Sequence, residues 1–295
     1  MSQPDTRRGI WLMIAVTFLF ACMDALSSHL SRSTNVYMVV MIRYWFFAAF
    51  VIWLGMRGAG GLRAAARSRT PWLQVLRGIL LVCEIVATVL GFVHLGLVAT
   101  HAVFAVYPLM VAALSGPILR ETVGWRRWLA IMIGFVGILV ILRPGGTVFA
   151  PEAIYPLIGA LIFAVYNLLN RYVARVDSAA VSFFYTGTVG AVLATVLGIP
   201  HWQPMVGTDW LWMGLLCLIA ALAHWLMIRA YELAEASALQ PFAYFQLVFI
   251  ALIGFFVFRE QVAPHVMLGG AIVVSAGLFT LIRGRRLARR RGRAG

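Results

Sequence analysis

The sequence predicts an all-α integral membrane protein, ten transmembrane helices arranged as two inverted five-helix repeats. Three observations predict it: composition, segment length and the placement of arginine. Apolar residues make up 62% of the 295 and charged residues 12%, with a mean hydropathy of +0.92. Soluble domains carry roughly 25% charged residues. Ten apolar segments of about bilayer length follow one another with short connections. Arginine clusters in alternate connections, as a chain that crosses a membrane repeatedly requires.

Taken in order, the spans fall at 9–29, 36–55, 73–94, 99–119 and 126–142, then 154–173, 181–199, 210–231, 239–258 and 265–282. Gly58-Ala59-Gly60-Gly61 separates span 2 from span 3, Arg143-Pro144-Gly145-Gly146 separates the halves, and Pro200 to Pro204 separates span 7 from span 8. Trp11, Trp72, Trp125, Trp128, Trp202, Trp210 and Trp212 lie at or near span ends, as an interfacial belt requires. The units read as residues 1–143 and 144–283, followed by a basic tail, 284–295.

All 24 basic residues are arginine, and they produce a net charge of +14. With the N-terminus in the cytoplasm, seventeen arginines fall on the inner side and only Arg32, Arg143 and Arg259 on the outer side. This places both termini inside, in the inner membrane. The tail arginines then sit beside anionic lipid head groups, and nucleic acid is not a partner. Arg77, Arg171 and Arg229 lie near inner span ends, where their stems can snorkel. Cys22, Cys83 and Cys217 fall inside apolar segments without metal-ligand spacing. No metal or cofactor motif is present.

A shift of 139 places sets Phe92 to Val123 against Tyr231 to Val262. Arg120-Glu121-x-Val123 then meets Arg259-Glu260-x-Val262, each pair closing one apolar span and preceding another. Spans 1 and 6 also correspond, with Asp24 against Asn167. Five spans per unit is an odd number, so the second unit lies upside down relative to the first. Inverted repeats of this kind recur in secondary transporters, with a substrate site near the midplane.

The ten-span plan, the small-residue-rich spans 4 and 9 ending in Arg-Glu, and the run Gly134-x-x-Gly137 to Arg143-Pro144-Gly145 resemble the drug/metabolite transporter superfamily, EamA type. Within it, Glu84-Ile85 in span 3 and Tyr107-Pro108 in span 4 are similar to the YddG-type amino-acid exporters. The resemblance implies export of amino acids, especially aromatic ones, by alternating access. Cationic drugs, nucleobases or sulfonium metabolites are the alternative cargo.

An ionisable residue deep in a span costs about 2.5–3.5 kcal/mol by insertion scales, so each needs a reason. Glu84, with Thr88 one turn on, is a candidate for a substrate amine or for proton coupling. Asp24 and Arg43 sit at matched depth in spans 1 and 2 and are expected to form an ion pair. His101 and His224 are intramembrane histidines, more often hydrogen-bonded packing groups than relays. Pro108 removes a donor opposite the Phe104 carbonyl, so span 4 should bend there. Trp45, Tyr107, Tyr166, Trp225 and Tyr244 are the deep aromatic residues available as a ligand wall, and Asn167 and Gln246 complete the cavity candidates. Small residues at Gly134 and Gly137 suit close helix packing, and spans 5 and 10 read as scaffold or homodimer contacts. An intramembrane enzyme would need nucleophile, base and stabiliser together; Asp24, Glu84 and His224 lie on different helices. The cargo is a small molecule, membrane lipid the surrounding partner, and without a Gly-rich phosphate-binding loop ATP is not expected to drive the cycle directly.

Overall fold

The computed structural model describes residues 6–58, 60–107, 109–111, 113–114, 125–142, 151–173, 176–233, 242 and 245–291, and among these there is no strand. The helices are α1 (Thr6–Ser33), α2 (Val36–Arg57), α3 (Gly61–Ala65), α4 (Pro71–His94), α5 (Leu97–Phe104), α6 (Trp125–Leu142), α7 (Ile154–Val173), α8 (Ala179–Gly198), α9 (Gly207–Leu233), α10 (Phe245–Phe256) and α11 (Pro264–Arg291). Six of them are long and apolar enough to cross a membrane, and shorter apolar helices accompany them. An α-helix suits a lipid-embedded segment because it satisfies the segment's backbone polar groups internally.

Local chemistry sets the boundaries. Asn35 caps α2 by accepting from the Met38 amide at 2.9 Å, and Ser178 caps α8 through the Val181 amide at 3.3 Å. Pro71 and Pro264 open α4 and α11, where a missing N–H costs nothing. Two elements differ from the sequence reading. The single turn α3 begins at the last glycine of the run after α2, and α11 continues through the arginines to Arg291, so most of the expected tail is helix. Arginine is a good helix former and an apolar helix already precedes it.

Span 4 breaks near the expected place. α5 ends at Phe104, Ala105 and Val106 form a turn, and the Leu109 and Met110 amides both bond back to the Val106 carbonyl. Pro108 itself lies outside the described residues.

The main contacts are α1 with α9, α4 with α7, α2 with α8, α6 with α11, α4 with α8, α1 with α10 and α5 with α10. Set α1, α2, α4, α5 and α6 against α7 to α11 in order. The α1–α9 contact then exchanges with α7–α4, and α1–α10 with α7–α5; α2–α8, α5–α10 and α6–α11 map onto themselves. Backbones approach closely where glycine allows it: a Cβ on Gly137 would lie 2.9 Å from the Gly269 carbonyl oxygen. Large apolar side chains cover the outside, Trp72 being 83% exposed.

Two carboxylates tie the halves together at opposite ends of α4. At the arginine-rich end, Asp177 accepts from the Ser68 hydroxyl, the Arg69 amide at 2.8 Å, the Thr70 hydroxyl at 3.0 Å and Gln74 Nε2 at 2.9 Å. Desolvation pushes this carboxyl up, but the bonds from Ser68, Arg69, Gln74 and Thr70 outweigh it and hold it well below the usual carboxylate range. A depressed folded-state pKa stabilises fully above the unfolded value, near ~4, and the contribution is lost as pH falls through the folded value. Asp177→Asn is therefore expected to lower the melting temperature by a few degrees at pH 7. It should also flatten the loss of stability on acidification below about pH 5, read by thermal unfolding in detergent across pH.

At the other end, Glu260 accepts from the Leu97 amide at 2.8 Å and the Val98 amide at 3.1 Å, capping α5 from the second half of the chain. The approach needs Gly96, whose φ is +94° and where a Cβ would sit 3.2 Å from Glu260 Oε1. Arg259 next door holds φ at +52°, the left-handed region, which costs a non-glycine residue roughly 1–2 kcal/mol. Two charge-assisted bonds offset that strain.

Candidate functional site

Polar side chains gather in the middle of the helices. Glu84 on α4 is 6% exposed and accepts from the Thr88 hydroxyl at 2.9 Å, one turn along the same face. Gly159 of α7 presses on that pair: a Cβ there would lie 2.8 Å from Thr88 Oγ1. Asp24 of α1 accepts from Gln246 Nε2 of α10 at 2.9 Å, a bond between the two halves. His101 of α5 brings Nε2 to 3.3 Å from the same Asp24 oxygen, close enough to pair but off the angle for a hydrogen bond. The imidazole is 7% exposed and stacks on Phe92 with ring centroids 5.2 Å apart. Asp24 and Arg43 lie within electrostatic reach of Glu84.

The expected Asp24–Arg43 ion pair does not form; Asp24 faces His101 and Gln246 instead. Arg43 has no hydrogen-bond or ion-pair partner among the described residues. It lines a small pocket between α2, α4 and α9, with Tyr44, Phe47, Leu81, Cys217 and His224. His224 Nδ1 contacts the Ala220 carbonyl at 2.7 Å. A carbonyl only accepts, so Nδ1 carries the hydrogen and Nε2 is left for another partner.

Other candidates fall elsewhere. Trp225 is 50% exposed, on the outside of the bundle rather than in the cluster, because it follows His224 by one residue and so leaves α9 about 100° away. Asn167 donates to the Phe163 carbonyl at 2.7 Å, four residues back on its own helix. Tyr107 packs edge-on against Phe163 at 4.9 Å between centroids, in a row with Phe104 and Tyr166. Tyr244 lies outside the described residues. Arg77 does not snorkel: it is 3% exposed, bonded to Asn170 Oδ1 at 2.6 Å and to Gln74, with Tyr166 under its guanidinium at 5.4 Å. A hydrogen-bonded interior site was available to it, and the arginine took it.

Sequence reasoning missed Tyr44, the Asp177 network and the capping role of Glu260. For Glu260 the signal was present, as the repeated Arg-Glu pair; for Tyr44 it was a phenol beside an intramembrane arginine.

The profile of the EamA-like transporter family matches residues 7–143 and again 151–282. The chain is 25% identical over 262 residues to an S-adenosylmethionine uptake transporter of Rickettsia prowazekii, covering 88% of this chain and 87% of that one. It is 27% identical over 274 residues to a riboflavin transporter of Vibrio cholerae, covering 92% of each. A pseudopaline exporter of Pseudomonas aeruginosa is 22% identical over 275 residues, 92% of this chain and 94% of that one. One solved crystal structure superposes with a TM-score of 0.62 at 18% identity, over 97% of this chain and 99% of its own, a likeness of fold. These names correct the expectation of a YddG-type aromatic amino-acid exporter: the relatives point to other cargo, and two of the three named are not exporters by name.

Proposed function

The chain belongs to the EamA-like transporter family, and from that premise we propose that it is a secondary transporter of the bacterial inner membrane for a zwitterionic, amino-acid-bearing metabolite. S-adenosylmethionine or a similar sulfonium compound is the leading candidate. The observation that carries the reading is Arg43, a guanidinium without a hydrogen-bond or ion-pair partner among the described residues, lining a pocket among membrane helices. A guanidinium offers five donors and no acceptor, so its complement is an anion, above all a carboxylate. Asp24 and Glu84 are the carboxyl groups available to an ammonium or sulfonium group. The names of the Rickettsia relatives supply the specific compound.

Both termini face the cytoplasm in this reading, on the strength of seventeen arginines against three. The exchange symmetry of the helix contacts supports two inverted units working by alternating access around the cluster. A carrier without its own energy source moves cargo either way, so net direction follows the gradients rather than the fold. Glu84 is the proton-coupling candidate.

A second reading, riboflavin, is favoured by the aromatic row Phe104, Tyr107, Phe163 and Tyr166, which offers stacking faces to a flavin ring. Riboflavin has carbonyl acceptors but no carboxylate, and so leaves the Arg43 charge unneutralised. Purified protein in liposomes preloaded with unlabelled S-adenosylmethionine should accumulate the labelled compound by counterflow, and riboflavin should not compete. Counterflow of riboflavin alone reverses the order of the two readings.

A further inference from the structure

We infer that His101 couples this transporter to protons: the His101 imidazolium and the cationic end of the cargo take turns on the Asp24 carboxylate, so that cargo and proton cross in opposite directions. The inference rests on the zwitterion reading and adds the coupling to it, placing the proton on His101 in place of Glu84.

Asp24 joins three helices from both halves of the chain. Its Oδ2 accepts from Gln246 Nε2 of α10 at 2.9 Å, and His101 Nε2 of α5 stands 3.3 Å from the same oxygen. That ring nitrogen is buried and makes no hydrogen bond among the described residues. Leaving a buried polar atom so is costly, and it calls for an explanation. The ring is held in place, with Phe92 stacked on it at 5.2 Å between centroids and Phe104 edge-on at 6.4 Å. Protonated, the ring is a cation already at ion-pair distance from Asp24; neutral, it leaves the carboxylate charge to another cation. Glu84 is placed differently, since its hydrogen-bond partner Thr88 lies on its own helix.

Other charged groups surround the pair. Glu84 of α4, His224 of α9 and Cys22 of α1 lie within electrostatic reach of Asp24, and Arg43 of α2 within reach of Glu84 and His224. Glu260 caps the first turn of α5, and α10 carries no titratable side chain. On α6, α7 and α11 such groups lie near the helix ends or, like Tyr166, against Arg77. His224 lines the Arg43 pocket and makes no ion pair with Asp24. His101 is therefore the histidine whose charge decides whether Asp24 is taken.

The cycle balances. Cargo arriving from one side displaces the imidazolium from Asp24, and the ring releases its proton to water on that side. On the other side cargo leaves, and the ring takes a proton from water and pairs with Asp24 again. S-adenosylmethionine carries an ammonium, a sulfonium and one carboxylate, a single net positive charge, so exchange for one proton moves no net charge.

In liposomes that are more acidic inside, the wild-type protein should concentrate S-adenosylmethionine about tenfold for each unit of pH difference, whatever the membrane potential. His101→Gln should exchange labelled for unlabelled cargo but concentrate none. Its half-saturating concentration should also lose the rise on acidification that the wild type shows. Accumulation by His101→Gln equal to wild type, or wild-type counterflow without accumulation, overturns the coupling and leaves the cargo standing. Loss of counterflow in a folded variant makes His101 a cargo or packing residue and overturns the coupling too. Absence of wild-type counterflow removes the cargo reading and the inference with it. Should His101→Gln fail to reach the membrane, the wild-type protein alone decides. S-adenosylmethionine added in detergent should release protons and remove imidazolium bands from the infrared difference spectrum. No release, or loss of a carboxylic-acid band in their place, overturns the inference.

Discussion

Replacing Arg43 with glutamine is expected to lower transport of a zwitterionic cargo about hundredfold while leaving the folded protein no less stable. Truncating one partner of a buried charge pair costs roughly 2–5 kcal/mol of binding, mostly from the charge left behind, and about 3 kcal/mol corresponds to that factor. The unusual half of the prediction is the stability. An arginine in a structural ion pair leaves a buried carboxylate stranded when it is removed. Arg43 has no such partner among the described residues, and Asp24 is held by Gln246 and approached by His101. Its removal takes an unpaired charge out of the membrane interior. Thermal unfolding and counterflow on the same preparation check both halves; a large drop in melting temperature would make Arg43 a structural residue and remove the main support for the cargo.

Glu260→Ala should have the opposite signature, a clear loss of stability. It withdraws the acceptor from the Leu97 and Val98 amides and opens a gap against Gly96. It also leaves the left-handed turn at Arg259 without its compensation. Unpaired buried amides cost about 1–3 kcal/mol each, so the melting temperature should fall by several degrees, since ~1 kcal/mol is worth roughly 2–4 °C in a chain somewhat smaller than this one. Glu260→Gln should fall between, because a carboxamide keeps one accepting oxygen and turns an NH₂ toward an amide that needs an acceptor. A melting temperature for the glutamine variant equal to that of alanine would show that charge, not geometry, makes the cap.

The fold was largely legible because lipid leaves the chain few options. Apolar runs of bilayer length become helices, and Asn35, Ser178, Pro71 and Pro264 mark boundaries by chemistry that acts within a few residues. The site was legible only in its residue types. Asp24, Glu84, His101 and Gln246 were recognisable as polar groups that a membrane must justify. Which of them meet depends on how α1, α4, α5 and α10 rotate about their axes, and apolar helices carry little pattern to fix that rotation. The same limit explains Trp225, read as cavity wall and found on the outside. It also explains Arg77, whose partner Asn170 lies 93 residues away along the chain. Glu260 was visible as half of a repeated pair, but a carboxylate capping a distant helix through backbone amides leaves no signature at the residues it caps.

The two carboxylates that bracket α4 have a kinetic consequence. Asp177 holds the strand of chain entering α4 and Glu260 holds the chain leaving it, each from the other half. In a cycle of the proposed kind, opening either end of the path first breaks one of these sets, so each becomes part of the activation barrier for that half-turn. The two sets differ in chemistry: one joins three side-chain donors and a single backbone amide, the other two backbone amides seated against Gly96. The two half-cycles should therefore run at unequal rates even when cargo is equal on both sides, and the slower one sets the turnover.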